Sequence, residues 1–170
     1  VGQQDLGANL LSYKDSGEDG FFLLLLAPQA TVDAQEIVAR DIFFVLDTSG
    51  SMRGEKLKQA KAAARYVLDN LNPQDRFNII AFNTSTSSYA SSLRPASDVR
   101  AAGQFVQALQ AGGGTNIARA MEETLAQTGG DRPQIIVFLT DGLPTEGERD
   151  AAKIIAQVSE QAGGNVRLFP

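Results

Sequence analysis

Residues 41–51 read DIFFVLDTSGS, an apolar run that passes directly into a short polar loop. The run from Asp41 to Leu46 does not alternate polar with apolar residues, which is typical of a central strand covered on both faces. A second such run, QIIVFLT at residues 134–140, leads into a loop that begins at Asp141. Strands of this kind, separated by helical patterns, predict an α/β fold with an open, mostly parallel, Rossmann-like sheet and helices on both faces.

The segments between these strands carry apolar residues every three or four positions, as amphipathic helices do. The first predicted helix spans about 54–71, and Ser97 can cap the second. A Gly-rich turn at 112–114 opens the third, and Thr145 with Glu148 has the spacing of a capping box for the fourth. The apolar residues of the fourth helix are Ala152, Ile155, Val158 and Ala162. The other predicted strands are 76–82, 165–169 and a short polar, antiparallel edge strand around Tyr89.

The first 39 residues differ in character from the rest. A polar opening extends to Gly20, and FFLLLLA at 21–27 predicts one strand. This run is much shorter than the about 20 residues that a membrane-spanning helix needs, so we expect a buried strand and no direct membrane insertion. The chain opens at Val1 without a Met, which indicates a piece of a larger, multidomain chain.

Composition excludes several classes of function. The chain has no cysteine and no histidine, which removes thiol nucleophiles, Ser-His-Asp triads and Cys/His zinc sites. Any metal must therefore be held by oxygen, as hard cations such as Mg²⁺, Mn²⁺ or Ca²⁺ are. A net charge of −5 argues against nucleic acid as a partner. The densest basic group is predicted to be the solvated side of a helix and comprises Arg53, Lys56, Lys58 and Lys61.

The loops that follow the strands are where an open α/β sheet binds its ligands. The first such loop holds Asp47, Ser49 and Ser51, in a D-x-S-x-S pattern directly after a central strand. The Gly-rich turn ends in Thr115, and Asp141 follows the IIVFLT strand. Together these segments bring two carboxylates and three hydroxyls to one edge of the sheet, a donor set that suits a hard, octahedral cation.

Each of these signals has an ordinary structural explanation when taken alone. Asp47 can be a turn or helix-cap residue, and Ser49 and Ser51 can likewise be N-caps. Thr115 can be a helix N-cap, and Asp141 followed by Gly142 is a common turn. The occurrence of all three segments in order, each after the expected element, is harder to explain by accident.

The three segments FFVLDTSGSM, GGGTN and IIVFLTDG resemble the signature segments of von Willebrand factor type A domains. The resemblance covers about residues 40–169. It implies a metal-ion-dependent adhesion site, in which Ser49, Ser51 and Thr115 would bind the cation directly. Asp47 and Asp141 would act largely through water.

Further segments, among them GEKLKQAK and LNPQDRFNIIAFN, resemble one branch of this family, the heavy chains of inter-alpha-trypsin inhibitor and their bacterial relatives. By this resemblance residues 1–39 would be a junction with a preceding β-rich domain. Residues 40–170 would be the A domain, truncated before its last helix. The resemblance also implies an extracellular or cell-surface location, with a cytoplasmic one as the alternative.

These observations predict a cation-dependent protein-binding module and not an enzyme. If neutral hydroxyls are the direct ligands, the cation keeps much of its charge and can accept a Glu or Asp from a partner protein. The residues expected at the partner-binding rim are Thr48, Met52, Asn116, Gly142 and Leu143.

Three alternatives remain at this stage. A Mg²⁺-dependent phosphoryl-transfer enzyme of the haloacid-dehalogenase kind also places an Asp after a central strand, but Ser49 stands where its second Asp is needed. Nucleotide binding is suggested weakly by AGGGTN at the start of a helix. In the third alternative the metal only pins the three loops together and has no partner.

Overall fold

The computed structural model describes residues 6–13, 21–28, 38–161 and 164–169 of the chain. The chain divides into two units, Val1–Ile37 and Val38–Pro170. Within the described ranges, no helix is both long enough and apolar enough to cross a membrane.

The first unit contains two antiparallel strands, β1 (Leu6–Tyr13) and β2 (Phe21–Pro28). Their register pairs Leu6 with Pro28 and Tyr13 with Phe21. The sequence predicted β2 at 21–27, but it treated the stretch that forms β1 as part of a polar opening. The sequence of β1, LGANLLSY, mixes polar with apolar residue types and gives a weaker strand pattern than a continuous apolar run does.

The second unit alternates strands with helices. Its strands are β3 (Asp41–Asp47), β4 (Arg76–Phe82), β5 (Thr86–Ser88), β6 (Arg94–Pro95), β7 (Gln134–Leu139) and β8 (Val166–Phe169). Its α-helices are α1 (Glu55–Asp69), α2 (Val99–Ala108), α3 (Ile117–Leu125) and α4 (Ala151–Gln161). Short 3-10 helices at Gly50–Met52 and Ala96–Asp98 precede α1 and α2.

The sheet of this unit has the strand order β5-β4-β3-β7-β8, and β6 also pairs with β4. Strands β4, β3, β7 and β8 run parallel to one another, which confirms the predicted open, mostly parallel sheet. Strands β5 and β6 are both short and both antiparallel to β4, where the sequence indicated one antiparallel edge strand. The second of them contains two residues, which is too short to leave a recognisable pattern.

Strand β3 is at the centre of the sheet, and all seven of its residues are buried. Successive side chains point to opposite faces of a strand, so Ile42, Phe44 and Leu46 share one face and Phe43 and Val45 share the other. The first face packs against Ala64, Leu68, Ala102 and Val106 of α1 and α2. The second packs against Ala120, Met121 and Leu125 of α3. Packing on both faces fixes the position of the loop that follows β3.

The start of α2 differs from the prediction that Ser97 caps it. Ser97 lies inside the 3-10 helix Ala96–Asp98, and α2 follows directly at Val99 without a side-chain cap. The Asp98 carboxylate instead accepts hydrogen bonds from Arg94 Nε at 2.8 Å and from the Tyr89 hydroxyl at 3.2 Å.

The start of α4 corrects a second predicted cap. Thr145 and Glu148 do not form a capping box, because the helix begins at Ala151 and the Asp150 carboxylate accepts from the Ala152 amide at 2.9 Å. The side chain of Thr145 is bonded elsewhere.

The buried face of α4 also differs from the one predicted. Ile154 is 7% exposed and Val158 packs against the core, whereas Ile155 is 64% exposed. Ile154 and Val158, which face the core, are four positions apart and lie on one side of the helix. The prediction placed Ile155, one position after Ile154, on that side. Ala162, which was predicted to extend the apolar row, lies outside the described residues.

Candidate metal centre

Three loops meet beyond the carboxyl ends of the central strands. The β3 loop and the Gly-rich turn are joined by two backbone hydrogen bonds, from Gly112 N to Thr48 O at 2.8 Å and from Gly50 N to Gly113 O at 3.0 Å. Gly113 has φ +81°, a conformation that a residue with a side chain rarely adopts. The third loop follows β7, which is the parallel neighbour of β3.

Asp47 is the last residue of β3 and is fully buried. Its Oδ1 accepts a hydrogen bond from the Ser49 amide at 2.7 Å, and its Oδ2 accepts one from Thr140 Oγ1 at 2.7 Å. The first bond, from an amide two residues further on, closes a turn between the strand end and the loop. The second joins Asp47 to the end of the neighbouring strand.

The hydroxyls of the D-x-S-x-S loop form a chain that ends on Asp141. Ser49 Oγ and Ser51 Oγ are 2.9 Å apart, and Ser51 Oγ donates to Asp141 Oδ1 at 2.8 Å. Ser49 is buried and Ser51 is exposed, so the chain of oxygens runs from the strand end to the surface. The structure thus brings the side chains of three of the five predicted ligands into direct hydrogen-bond contact. The carboxylate of Asp47 contacts one of these residues, Ser49, by accepting from its backbone amide.

The second carboxylate oxygen of Asp141 accepts a hydrogen bond from the ammonium group of Lys56. Lys56 Nζ lies 2.6 Å from Asp141 Oδ2. This hydrogen bond, with a smaller contribution from Ser51, holds the pKa of Asp141 below its ordinary value. Lys56 lies on the solvated side of α1, as predicted, and its position in the first turn of that helix also lets its ammonium group reach the third loop.

Thr115 is held through its backbone. Its amide donates to Thr145 Oγ1 at 2.8 Å, and its carbonyl accepts from the Thr145 amide at 2.9 Å and from the Glu146 amide at 3.1 Å. The residue is 4% exposed. No hydrogen bond within the described part of the chain joins the Thr115 side chain to the other four predicted ligands. The link between their loops is the backbone bond from Gly50 to Gly113, two residues before Thr115.

The five predicted rim residues fall into two groups. Thr48 is buried, and its hydroxyl donates to Phe82 O at 2.9 Å. Met52 is also buried and packs in a small cluster with Leu57. Neither side chain is accessible from outside in this structure, so the prediction that these two residues contact a partner is wrong.

The other three rim residues remain accessible. Leu143 is 80% exposed, and Gly142 is exposed beside it. Asn116 is half-buried, and its Oδ1 accepts from the Arg119 amide at 3.1 Å, which caps α3. The amide group of Asn116 therefore has a structural task in addition to any contact with a partner.

Sequence reasoning missed four residues that position the site, namely Thr140, Lys56, Thr145 and Thr84. Thr84 Oγ1 accepts from the Gly114 amide at 2.8 Å and supports the Gly-rich turn. One of the four carried a usable signal: Thr140 is a hydroxyl residue at the end of an apolar strand, next to a predicted ligand. The contacts of the other three depend on the path of the loops.

The fold and the site together define an α/β domain with a cluster of carboxylates and hydroxyls at the edge of a parallel sheet. The chain belongs to the von Willebrand factor type A domain family, whose match covers residues 41–169. This confirms the family resemblance of the three signature segments.

Several proteins are similar to the chain over most of its length. The human inter-alpha-trypsin inhibitor heavy chain H4 is 37% identical over 166 residues, which cover 89% of this chain and 17% of the relative. Heavy chain H1 of Mesocricetus auratus is 32% identical over 162 residues, with the same two coverages. The chain therefore spans about a sixth of the length of these relatives, and the likeness to the heavy-chain branch is confirmed.

Solved structures support the fold. A von Willebrand factor type A protein from Catenulispora acidiphila superposes with a TM-score of 0.67 at 20% identity, covering 97% of this chain and 39% of that one. The corresponding domain of the type V pili tip protein Mfa5 from Porphyromonas gingivalis has a TM-score of 0.55 at 19% identity, covering 63% and 39% of the two chains.

Proposed function

We propose that the chain is a divalent-cation-dependent protein-binding module whose bound metal accepts an acidic side chain from a partner. The observation that carries the proposal is the continuous oxygen array of Ser49, Ser51 and Asp141, backed by the buried Asp47. Thr115 would complete the set of ligands. Mg²⁺ is the proposed cation, with Mn²⁺ or Ca²⁺ as substitutes.

The spacing of the array supports an octahedral cation. Adjacent ligands of a Mg²⁺ ion, each about 2.1 Å from it, lie about 3 Å from one another. The Ser49–Ser51 oxygen separation of 2.9 Å is compatible with two adjacent direct ligands, and Asp141, which accepts from Ser51 at 2.8 Å, would act largely through water. The described residues contain no group of three or more carboxylates that could hold a metal, and the proposed set is accordingly mixed, with hydroxyls beside two aspartates.

This donor set also favours a partner's carboxylate. Hydroxyl ligands are neutral, so a cation held mainly by Ser49, Ser51 and Thr115 keeps most of its charge. The bound metal would supply a Lewis-acidic coordination position. Leu143, 80% exposed beside Asp141, would lie against the partner.

Two observations favour binding over catalysis. An aspartyl nucleophile must be accessible, yet Asp47 is fully buried and each of its oxygens accepts a hydrogen bond. The chain has no histidine or cysteine to act as a general base or nucleophile. We therefore propose that the module is not an enzyme. Similarity to heavy chains and to a pili tip protein supports an adhesive, extracellular role within a longer chain.

The test is calorimetric titration of metal-stripped chain with Mn²⁺ and Mg²⁺. One-site binding to the wild type, lost in Ser49→Ala and Asp141→Ala, is the expected result. Ser97→Ala and Asp131→Ala make the same chemical changes at exposed positions away from the site and should bind normally. A folded wild type that binds no cation would overturn the proposal.

A second measurement separates a partner-binding metal from a purely structural one. Bound Mn²⁺ relaxes the protons of its exchangeable waters, so a glutamate side chain that takes an open position lowers this relaxation. Titration of the Mn²⁺-loaded chain with a short glutamate-containing peptide should therefore reduce the water proton relaxation rate. An unchanged rate would favour the structural role.

A further inference from the structure

Lys56 makes the closest charged contact in the site. Its ammonium nitrogen is 2.6 Å from Asp141 Oδ2, while Asp141 Oδ1 accepts from Ser51 at 2.8 Å. The side chain of Lys56 is 57% exposed and that of Asp141 is 14% exposed. A carboxylate proposed to assist a cation is thus already neutralised by a group of this chain.

We infer that Lys56 sets the cation affinity of the site, because its ammonium competes with the metal ion for the Asp141 carboxylate. The inference rests on the proposed cation site. A bound cation would either draw Asp141 away from Lys56 or, acting through a water, share the negative charge of the carboxylate with Lys56, and in both cases two positive charges come close together. A unit charge about 6 Å from a divalent ion changes the affinity for that ion by about tenfold in a water-like dielectric.

The charges of the cluster show a second effect of Lys56. Asp47 and Asp141 contribute two negative charges and Lys56 one positive charge, so the metal-free cluster carries −1. A divalent cation brings the loaded cluster to +1, whereas without Lys56 the loaded cluster would be neutral. Lys56 therefore weakens metal binding and at the same time leaves the loaded site more attractive to an incoming carboxylate.

Lys58 provides a matched comparison on the same helix. It is well exposed and pairs with Glu55 at 3.3 Å, so it carries the same charge without a contact to Asp141. Substitution of either lysine by methionine removes one positive charge and keeps a long, flexible side chain. A difference between the two variants then reports the contact with Asp141 and not the net charge of the protein.

The experiment measures Mn²⁺ affinity of the metal-stripped 170-residue chain by calorimetry at low and at high ionic strength. Lys56→Met should bind Mn²⁺ about tenfold more tightly than the wild type at low salt, and the difference should shrink as salt screens the charges. Lys58→Met should stay within about twofold of the wild type, as expected for an exposed, screened charge that does not contact Asp141. Lys56→Arg keeps the charge and should also remain near the wild type.

The outcomes separate this inference from the proposed function. If the wild type binds Mn²⁺ but Lys56→Met binds it equally or more weakly, the inference is wrong and the cation site stands. If Lys56→Met and Lys58→Met tighten binding equally, only net charge matters and the inference is again wrong. If no variant binds Mn²⁺ while circular dichroism shows folded protein, the proposed function itself fails. Lys56→Gln replaces Lys56→Met if the latter does not fold.

Discussion

Thr140 Oγ1 donates a hydrogen bond to Asp47 Oδ2 across 2.7 Å, and this contact joins the ends of the neighbouring parallel strands β7 and β3. Asp47 is fully buried, so its carboxylate depends on protein donors in place of water. Thr140 and the Ser49 amide are the two donors that the structure places on it, one on each oxygen. The orientation of this carboxylate therefore depends on a residue that is not itself a predicted ligand.

Replacement of Thr140 by valine keeps the shape of the side chain and removes the hydroxyl. We expect the free energy of unfolding to fall by about 1–2 kcal/mol, because a buried carboxylate oxygen loses its donor. We also expect weaker Mn²⁺ binding, since Asp47 is no longer fixed. Urea denaturation and calorimetry measure the two effects. Thr140→Ser retains the donor and should behave like the wild type; equal losses in both variants would contradict a role for the hydroxyl.

Thr145 offers a prediction that distinguishes the observed contact from the predicted capping box. Thr145→Val removes the acceptor of the Thr115 amide, so amide hydrogen exchange at Thr115 should become faster while the first turn of α4 is unchanged. The unsatisfied amide should lower the free energy of unfolding by about 1–2 kcal/mol. Thr145→Ser should restore slow exchange. Faster exchange at Ala152 in place of Thr115 would mean that Thr145 caps the helix after all.

The sequence predicted the buried strands well and the contacts between loops poorly. The runs at 41–46 and 134–139 gave reliable predictions, because a strand buried on both faces requires apolar residues at successive positions. The ends of these strands then placed Asp47 and Asp141 at one edge of the sheet. The contacts of Lys56 with Asp141 were not predictable, since they link residues 85 positions apart through the path of two loops. Strand β1 was missed because its sequence, LGANLLSY, is neither a continuous apolar run nor a regular alternation of polar and apolar residues.

An ion pair at the opposite end of the sheet should stabilise the fold without affecting the metal site. Asp41 is fully buried and accepts two hydrogen bonds from the Arg76 guanidinium, at 2.8 Å from Nε and at 2.7 Å from Nη2. Asp41→Asn removes the charge and keeps the shape. We expect a loss of about 2 kcal/mol in the free energy of unfolding, as for hydrogen bonds between charged groups, and unchanged Mn²⁺ affinity.

The control for this prediction is Asp69→Asn. Asp69 pairs with Arg65 at 2.8 Å on the surface of α1, with both side chains nearly half exposed. Surface pairs of this spacing contribute about 0.5 kcal/mol or less. If Asp69→Asn lowered the free energy of unfolding as much as Asp41→Asn does, burial would not be the reason for the strength of the Asp41–Arg76 pair.

The titration of Asp141 in the metal-free chain reports on its contact with Lys56. Hydrogen bonding to Lys56 is the largest cause that lowers the pKa of Asp141 beneath its ordinary value of 3.8. A lowered pKa in the folded state means that the pair stabilises the fold fully above the pKa of the unfolded chain, and that this stabilisation is lost as the pH falls through the folded pKa.

Carboxyl carbon NMR should therefore place the Asp141 midpoint below 3.8. Lys56→Met should move it upward, and Lys58→Met should leave it in place. An Asp141 midpoint that is the same in Lys56→Met and in the wild type would show that the 2.6 Å contact does not persist in solution.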